Sequence, residues 1–176
     1  MKISRRGINP HERGQGTLEF ALVFPIFLFL ILAIIEIAHL MFFYNSVAVA
    51  SLEASRFGAG MGPSGTTGLS NWQDCQGIRD AAKRIGTVLG LQDSDIQISF
   101  EDAYGNPLQT VDSNGNSVAP CTGSSGSIKL IGLGYWITVK VTAHYEPLVP
   151  LININPVTVT TKSSHTILTN VPVGEY

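Results

Sequence analysis

The sequence is poor in charge and in the residue patterns that most enzymes use for chemistry. Only 14% of its 176 residues are charged, and its four histidines form no pair at the spacing of metal ligands. It contains no phosphate-binding loop, no nucleophile elbow and no motif with paired carboxylates. We therefore expect a protein that is not an enzyme and that binds no cofactor and no metal.

The sequence also has only one apolar run long enough to cross a membrane. Phe20 to Ile35 carries no charge, and Glu36 and His39 are the ionisable residues between there and Tyr44. As a helix, Phe20 to Tyr44 would rise about 37 Å, against a hydrocarbon core of about 30 Å. The run predicts a single-pass membrane protein in contact with lipid.

Charge is distributed unevenly on the two sides of this run. Residues 1–14 hold four basic residues and one acidic residue, while the remainder is net acidic. Basic residues beside a span stay in the cytoplasm, so we expect the N-terminus inside and the C-terminal part outside. The basic leader could instead bind nucleic acid. Because its position beside the span already explains its positive charge, we expect no nucleic-acid partner.

The two cysteines, Cys75 and Cys121, both follow the span. In that orientation they face an oxidising compartment and can form a disulfide. Closing this loop would stabilise the domain by about 4 kcal/mol in the chain-entropy model. Two free thiols, or a bond between chains, are the alternatives.

The pattern divides the chain into four parts. We expect a basic leader at 1–14, a transmembrane and stalk helix at 15–57, a glycine-rich hinge at 58–69 and an exoplasmic domain at 70–176. Pro25 should kink or locally melt the start of the long helix. The stalk is rich in small residues, which could admit another helix or pack on the domain of the same chain. These small residues are Ala48, Ala50, Ser51, Ala54 and Ser55.

Within the domain, one helix and three strands are expected. An apolar stripe at three- and four-residue steps predicts a helix over 70–89, and alternation predicts strands at 96–101 and 135–145. A segment rich in Val, Thr and Ile predicts a third strand at 157–168. A long exposed loop should fill 102–127. Strands joined by loops favour an antiparallel sheet, so the predicted fold is α+β, with one helix packed on that sheet.

The residues around the start of the span resemble a prepilin peptidase site. The motif is Gly14-Gln15-Gly16-Thr17-Leu18-Glu19-Phe20, and further matching segments extend over roughly residues 13–60. This region is similar to the TadE/TadG-like pseudopilins, the minor pilins of the Tad/Flp branch of type IV pilus-related systems. Those further segments include Glu19–Val23, Ile35-Glu36, Tyr44-Asn45 and Ala54–Ala59.

The resemblance implies cleavage between Gly14 and Gln15, which makes Glu19 the fifth residue of the mature chain. Cleavage after Gly16 is a second possibility that fits the pattern less well. An aromatic residue at Phe20 is typical of the Tad/Flp branch. In the resembled family the glutamate that corresponds to Glu19 pairs with the new amine of another subunit. The alternative is that Glu19 only marks the start of the helix, where a carboxylate suits the helix dipole.

Glu36 and His39 are the ionisable residues near the outer end of the span. Such residues inside a membrane are functional candidates, and they could contact a partner helix or each other. Alternatively, the span ends there and both side chains reach into water.

The resemblance implies a pilin in the bacterial inner membrane, with its domain in the periplasm or outside the cell, or in the pilus itself. Its partners would be a prepilin peptidase, other pilins and the Tad inner-membrane assembly proteins, and its role would be pilus assembly, priming or adhesion. An unprocessed single-pass anchored protein for binding or scaffolding is the alternative. A secretory signal cleaved after Ala48-Val49-Ala50 is the main processing rival.

Overall fold

The computed structural model describes residues 12–65, 68–111, 117–118, 120–121, 134–148 and 157–167. Residues 1–11 of the predicted leader, much of the predicted loop at 102–127 and the C-terminal residues 168–176 lie outside the described residues.

A single long helix, α1, runs from Glu12 to Ala59. Pro25 lies inside it, and the helix continues through this position without a break, so the expected local melting is wrong. Proline removes one hydrogen bond from the helical ladder, and the turns on either side keep theirs. In an apolar environment the unfolded alternative would leave several more backbone groups without partners.

The main sheet has three antiparallel strands: β1 (Ile96–Glu101), β4 (Trp136–Tyr145) and β5 (Val157–Thr166). Their order is β1-β4-β5, so β4 is central. The sequence patterns therefore located all three strands, to within two residues at each end. The predicted α+β class, with one long apolar helix, a further helix and an antiparallel sheet, is confirmed.

A small sheet of two strands lies in the region that we expected to be a loop. It consists of β2 (Thr110–Val111) and β3 (Ser117–Val118), which pair in antiparallel fashion. The sequence between them contains Asn114-Gly115, a dipeptide typical of hairpin turns. That signal predicts a turn, and the β-branched residues around it supply the short strands.

The helix predicted over 70–89 is divided into three pieces. A 3-10 turn (Asn71–Gln73) precedes α2 (Cys75–Ile85), and another 3-10 turn (Thr87–Leu89) follows it. Asp74 has non-helical backbone angles, and its carboxylate accepts a hydrogen bond from the Gly77 N–H at 2.9 Å. A short polar side chain at this position caps a new helix more favourably than it continues an old one.

The core lies between the sheet and the two helices. The C-terminal part of α1 packs on β4 and β5, and α2 packs on α1 and β1. Strand β4 runs opposite to α1: Tyr145, its last residue, lies beside Glu36, and a side chain at Gly58 would collide with Ile137. The largest fully buried apolar side chains are Phe100, Ile78, Ile137, Ile167, Val47, Val139 and Val141.

A disulfide joins Cys75 to Cys121, as predicted. Their Cα atoms are 5.4 Å apart, and the bond ties the start of α2 to a segment 46 residues later in the sequence. The Arg79 guanidinium donates a hydrogen bond to the Cys121 carbonyl, which adds a second link at the same place.

Candidate functional site

The N-terminal part of α1 has no cover from the rest of the protein. Every residue from Gly16 to Ile31 is exposed, and the large apolar side chain of Phe27 is 57% exposed. We call residues 16–35 the bare half of α1 and residues 36–59 the packed half. Among the described residues, α1 is the one helix long and apolar enough to cross a membrane. Exposed apolar surface of this extent is typical of a helix surrounded by lipid or by other apolar helices.

The residues predicted for processing lie together at the start of this half. Gly14 and Gln15 are in the first turn of α1, and the exposed residues Glu19 and Phe20 follow one turn later. Residues four apart share one face of a helix, so Glu19 lies above Gln15. The Phe20 ring contacts that of Phe24, with centroids 5.3 Å apart. The structure thus places the four residues within about two turns of helix.

The packed half contacts the sheet through small and hydroxyl-bearing residues. Ser55 donates a hydrogen bond to Ser163 at 2.9 Å. Thr161 donates to the Val47 carbonyl at 3.0 Å and to Ser51 at 3.1 Å. Ala50 and Ala54 are completely buried in the same contact. Of the two uses that the sequence left open for these small residues, packing on the chain's own domain is the one observed.

Glu36 and His39 meet the last residue of β4. The Tyr145 hydroxyl donates a hydrogen bond to the Glu36 carboxylate, and His39 Nδ1 lies 3.2 Å from the same hydroxyl oxygen. Phe43 packs edge-on against the Tyr145 ring, with centroids 5.3 Å apart. We call Glu36, His39, Phe43 and Tyr145 the Tyr145 cluster. It joins the domain to α1 at the boundary between the bare and packed halves.

The surroundings of Tyr145 keep its hydroxyl protonated. Burial raises its pKa to about 12, and the hydrogen bond and negative charge of Glu36 act in the same direction. The phenol is therefore a permanent donor at physiological pH. The second carboxylate oxygen of Glu36, Oε2, is buried and has no hydrogen-bond partner among the described residues.

Residues 14–56 match the family described as TadE-like protein. This part of the long helix is similar to that family, and we call it the TadE-like segment. No curated protein and no solved structure matches the chain. The TadE-like segment begins at Gly14 and ends near the end of α1, so it contains the bare half and most of the packed half. The sheet and α2 lie outside it.

Sequence reasoning identified the TadE-like motif but did not find the role of Tyr145. This residue occupies the last inward-facing position of the predicted strand, where an aromatic side chain would be assigned to the hydrophobic core. A buried tyrosine hydroxyl usually needs a hydrogen-bond partner. Glu36 and His39 are the two ionisable residues in the apolar part of the TadE-like segment. Their need for a polar partner could have suggested a hydrogen bond to Tyr145.

Outside the TadE-like segment, the structure shows a cavity of about 500 Å³ beside the end of α1. Its polar wall is made by Asp80 and Arg84, and Asp80 forms an ion pair with Lys83 at 3.0 Å. The described residues contain no cluster of His, Cys, Asp and Glu suited to a metal ion. The cavity also includes Ser64, whose hydroxyl donates a hydrogen bond to the buried Asp74 carboxylate. It is lined by Phe57, Ser64, Gly65, Gly77, Asp80, Ala81 and Arg84.

Proposed function

We propose that this protein is a minor pilin, or pseudopilin, of a Tad-type pilus system. It is made as a prepilin, cut after Gly14 by a prepilin peptidase and held in the bacterial inner membrane by α1. One observation carries the proposal: the TadE-like segment starts at Gly14 and contains the half of α1 that the chain's own domain leaves bare.

The chemistry of the cut explains why a carboxylate belongs at Glu19. Hydrolysis of the Gly14–Gln15 bond creates a positively charged amine at Gln15, at the edge of the apolar helix. A charge at the membrane boundary is costly unless it is paired. Glu19 is exposed one turn further along, so it can accept the amine of a neighbouring subunit as the helices come together.

The bare half supplies the surface for that association. Its apolar side chains contact lipid before assembly and the helices of other pilins afterwards. The N-terminus lies in the cytoplasm, where the peptidase and the Tad inner-membrane assembly proteins act, and the disulfide-bonded domain lies in the periplasm or outside the cell. In this proposal the protein performs no catalysis and serves pilus assembly, priming or adhesion.

Processing is tested with two matched glycine variants in cells with an active Tad system. We expect wild-type protein and Gly16→Ala to yield a mature chain that begins at Gln15, and Gly14→Ala to keep its leader. N-terminal sequencing of the membrane-extracted protein reads the result. An intact leader on the wild-type protein would support an unprocessed membrane anchor, and a start at Ser51 would support a secretory signal.

Assembly is tested separately from processing with Glu19→Gln. This variant should still be cut at Gln15 but should fail to crosslink to other pilins, because the neighbouring amine has lost its partner charge. Glu53→Gln is the matched control, since Glu53 lies on the packed half, and it should crosslink like wild type. Equal crosslinking by both variants would contradict the proposed pairing.

A further inference from the structure

We propose that the end of the sheet nearest Glu36, marked by Leu148 and Val157, rests in the outer headgroup layer of the membrane that α1 spans. The lipid of that leaflet is the partner. This inference relies on the proposed membrane span, but it is independent of cleavage and of pilus assembly.

The first step is the direction of the sheet along α1. Ser163, near the end of β5, bonds to Ser55 near the end of α1, whereas Tyr145 bonds to Glu36 about five turns earlier. The strands therefore run along the helix axis. The Tyr145 end of the sheet is the end closest to the bare half.

The second step is depth in the membrane. A hydrocarbon core of about 30 Å takes about 20 helical residues, which from Phe20 extends to His39. His39 Nδ1 lies 3.2 Å from the Tyr145 hydroxyl. The Tyr145 cluster is thus at the outer boundary of the hydrocarbon. The domain cannot move away from the membrane without breaking the contacts of this cluster.

The third step is what the domain presents at that level. Leu148 follows Tyr145 by three residues, a reach of at most about 10 Å, and it is 60% exposed. Val157 pairs with Tyr145 across the sheet and is 44% exposed. Leu40 and Met41, which follow His39 on α1, are also exposed apolar residues.

The two ends of the sheet differ in charge: Glu146 is the exposed acidic residue between Tyr145 and Leu148, whereas the opposite end combines the exposed aromatic side chains of Tyr104 and Trp136 with several polar and charged groups. There Glu101 lies 3.8 Å from Lys162, and the Asp102 carboxylate accepts hydrogen bonds from the backbone of Tyr104 and Asn106. Charged and hydrogen-bonded groups of this kind belong in water. The contact of Tyr145 with Glu36 and His39 orients the domain with Leu148 toward the bilayer, and the exposed Glu146 carboxylate beside it belongs in the headgroup layer and not in the hydrocarbon.

The experiment uses spin labels on the full-length chain in vesicles of phosphatidylethanolamine and phosphatidylglycerol. Three variants are compared: Leu148→Cys at the proposed contact, Tyr104→Cys at the far end of the sheet and Ile31→Cys in the bare half. Each nitroxide is measured for collision with oxygen, which concentrates in lipid, and with a water-soluble nickel chelate.

We expect the Leu148 label to favour oxygen over the nickel chelate at least threefold relative to the Tyr104 label, and the Ile31 label to favour it more strongly. A Leu148 label as accessible to nickel as the Tyr104 label would overturn the contact. So would a Leu148 label shielded from both reagents, since that indicates burial against protein. An Ile31 label that reads as water would overturn the membrane span together with this inference.

Discussion

Residues 16–35 and residues 36–59 form one continuous helix, but they meet different surroundings. The bare half carries large side chains such as those of Phe27 and Ile34 on its outside, and all but Leu32 of its residues are exposed. In the packed half, one face is buried against the sheet, and α2 covers part of the same region. One type of backbone structure therefore serves two purposes along its length.

The difference arises from side-chain size. Alanine and serine at the buried positions of the packed half let the strands approach the helix closely. The serine hydroxyls form hydrogen bonds with polar side chains of β5. Leucine, isoleucine and phenylalanine in the bare half would hold a sheet away, and they suit lipid or other helices instead. The Tyr145 cluster lies where the two compositions meet, so it marks how far the domain extends along α1.

The largest expected effect comes from removing the disulfide, and it should fall on the domain that covers the packed half and not on the bare half. Replacing both Cys75 and Cys121 by serine should lower the free energy of unfolding of the domain by about 4 kcal/mol, because the unfolded chain gains freedom. Denaturant unfolding in detergent, followed by tryptophan fluorescence, measures this. Reduced wild-type protein should show the same loss. Helical structure that remains after the domain has unfolded would show that the bare half is stable without the domain. An unchanged denaturant midpoint would contradict the predicted loss of stability.

A matched pair of alanine substitutions compares the two halves directly. Ala54→Leu should cost about 1–3 kcal/mol, because Ala54 is completely buried between α1 and the sheet and the added side chain has no space. Ala33→Leu makes the same change at an exposed position of the bare half and should leave the stability unchanged. Thermal melts of both variants in the same detergent provide the measurement. Equal melting temperatures would show that the packed half is not as tightly packed as described.

The boundary between the halves can be weakened with Tyr145→Phe. This variant keeps the ring and removes the hydroxyl, so the Glu36 carboxylate loses its donor at a cost of about 2 kcal/mol. Tyr104→Phe is the control, because Tyr104 is 91% exposed. The free energies of unfolding of the two variants, measured with denaturant, should differ by that amount. A Tyr145→Phe variant as stable as wild type would show that the cluster does not fasten the domain to the helix.

The smallest expected effect concerns pH. The pKa of Tyr145 is raised from 10.0 to about 12, so the neutral phenol is favoured in the folded state. Its contribution to stability is fully present below pH 10 and is lost as the pH rises from 10 to 12. Ultraviolet titration of the five tyrosines should show one that ionises about two pH units late. In Glu36→Gln this late step should move to lower pH, and a single common step in wild type would contradict the cluster.

Much of the fold could be predicted because it depends on local patterns. Strict alternation located β4, a high content of Val, Thr and Ile located β5, and the uninterrupted apolar run located α1. The division of the 70–89 segment could not be predicted from the apolar stripe, since the capping preference of Asp74 competes with helix continuation. The expected melting at Pro25 was wrong for a related reason: a single lost hydrogen bond does not outweigh the intact turns around it.

The candidate site was predictable only where it is linear in sequence. Gly14, Gln15, Glu19 and Phe20 form one short motif, and the family match begins at the first of them. The Tyr145 cluster joins residues more than 100 positions apart, and its formation depends on how the sheet is placed along α1. No pattern within either segment fixes that placement. For the same reason, the sequence could not decide what covers Ala50 and Ala54.

The most direct test of the difference between the halves is photocrosslinking from two phenylalanines on the same helix. Phe27→p-benzoylphenylalanine and Phe43→p-benzoylphenylalanine are compared in cells that assemble the pilus, with products identified by mass spectrometry. We predict that the probe at position 27 forms adducts with lipid or other pilins, and that the probe at position 43 reacts within its own chain. Crosslinks from position 43 to other proteins, or from position 27 to the chain's own domain, would contradict the account.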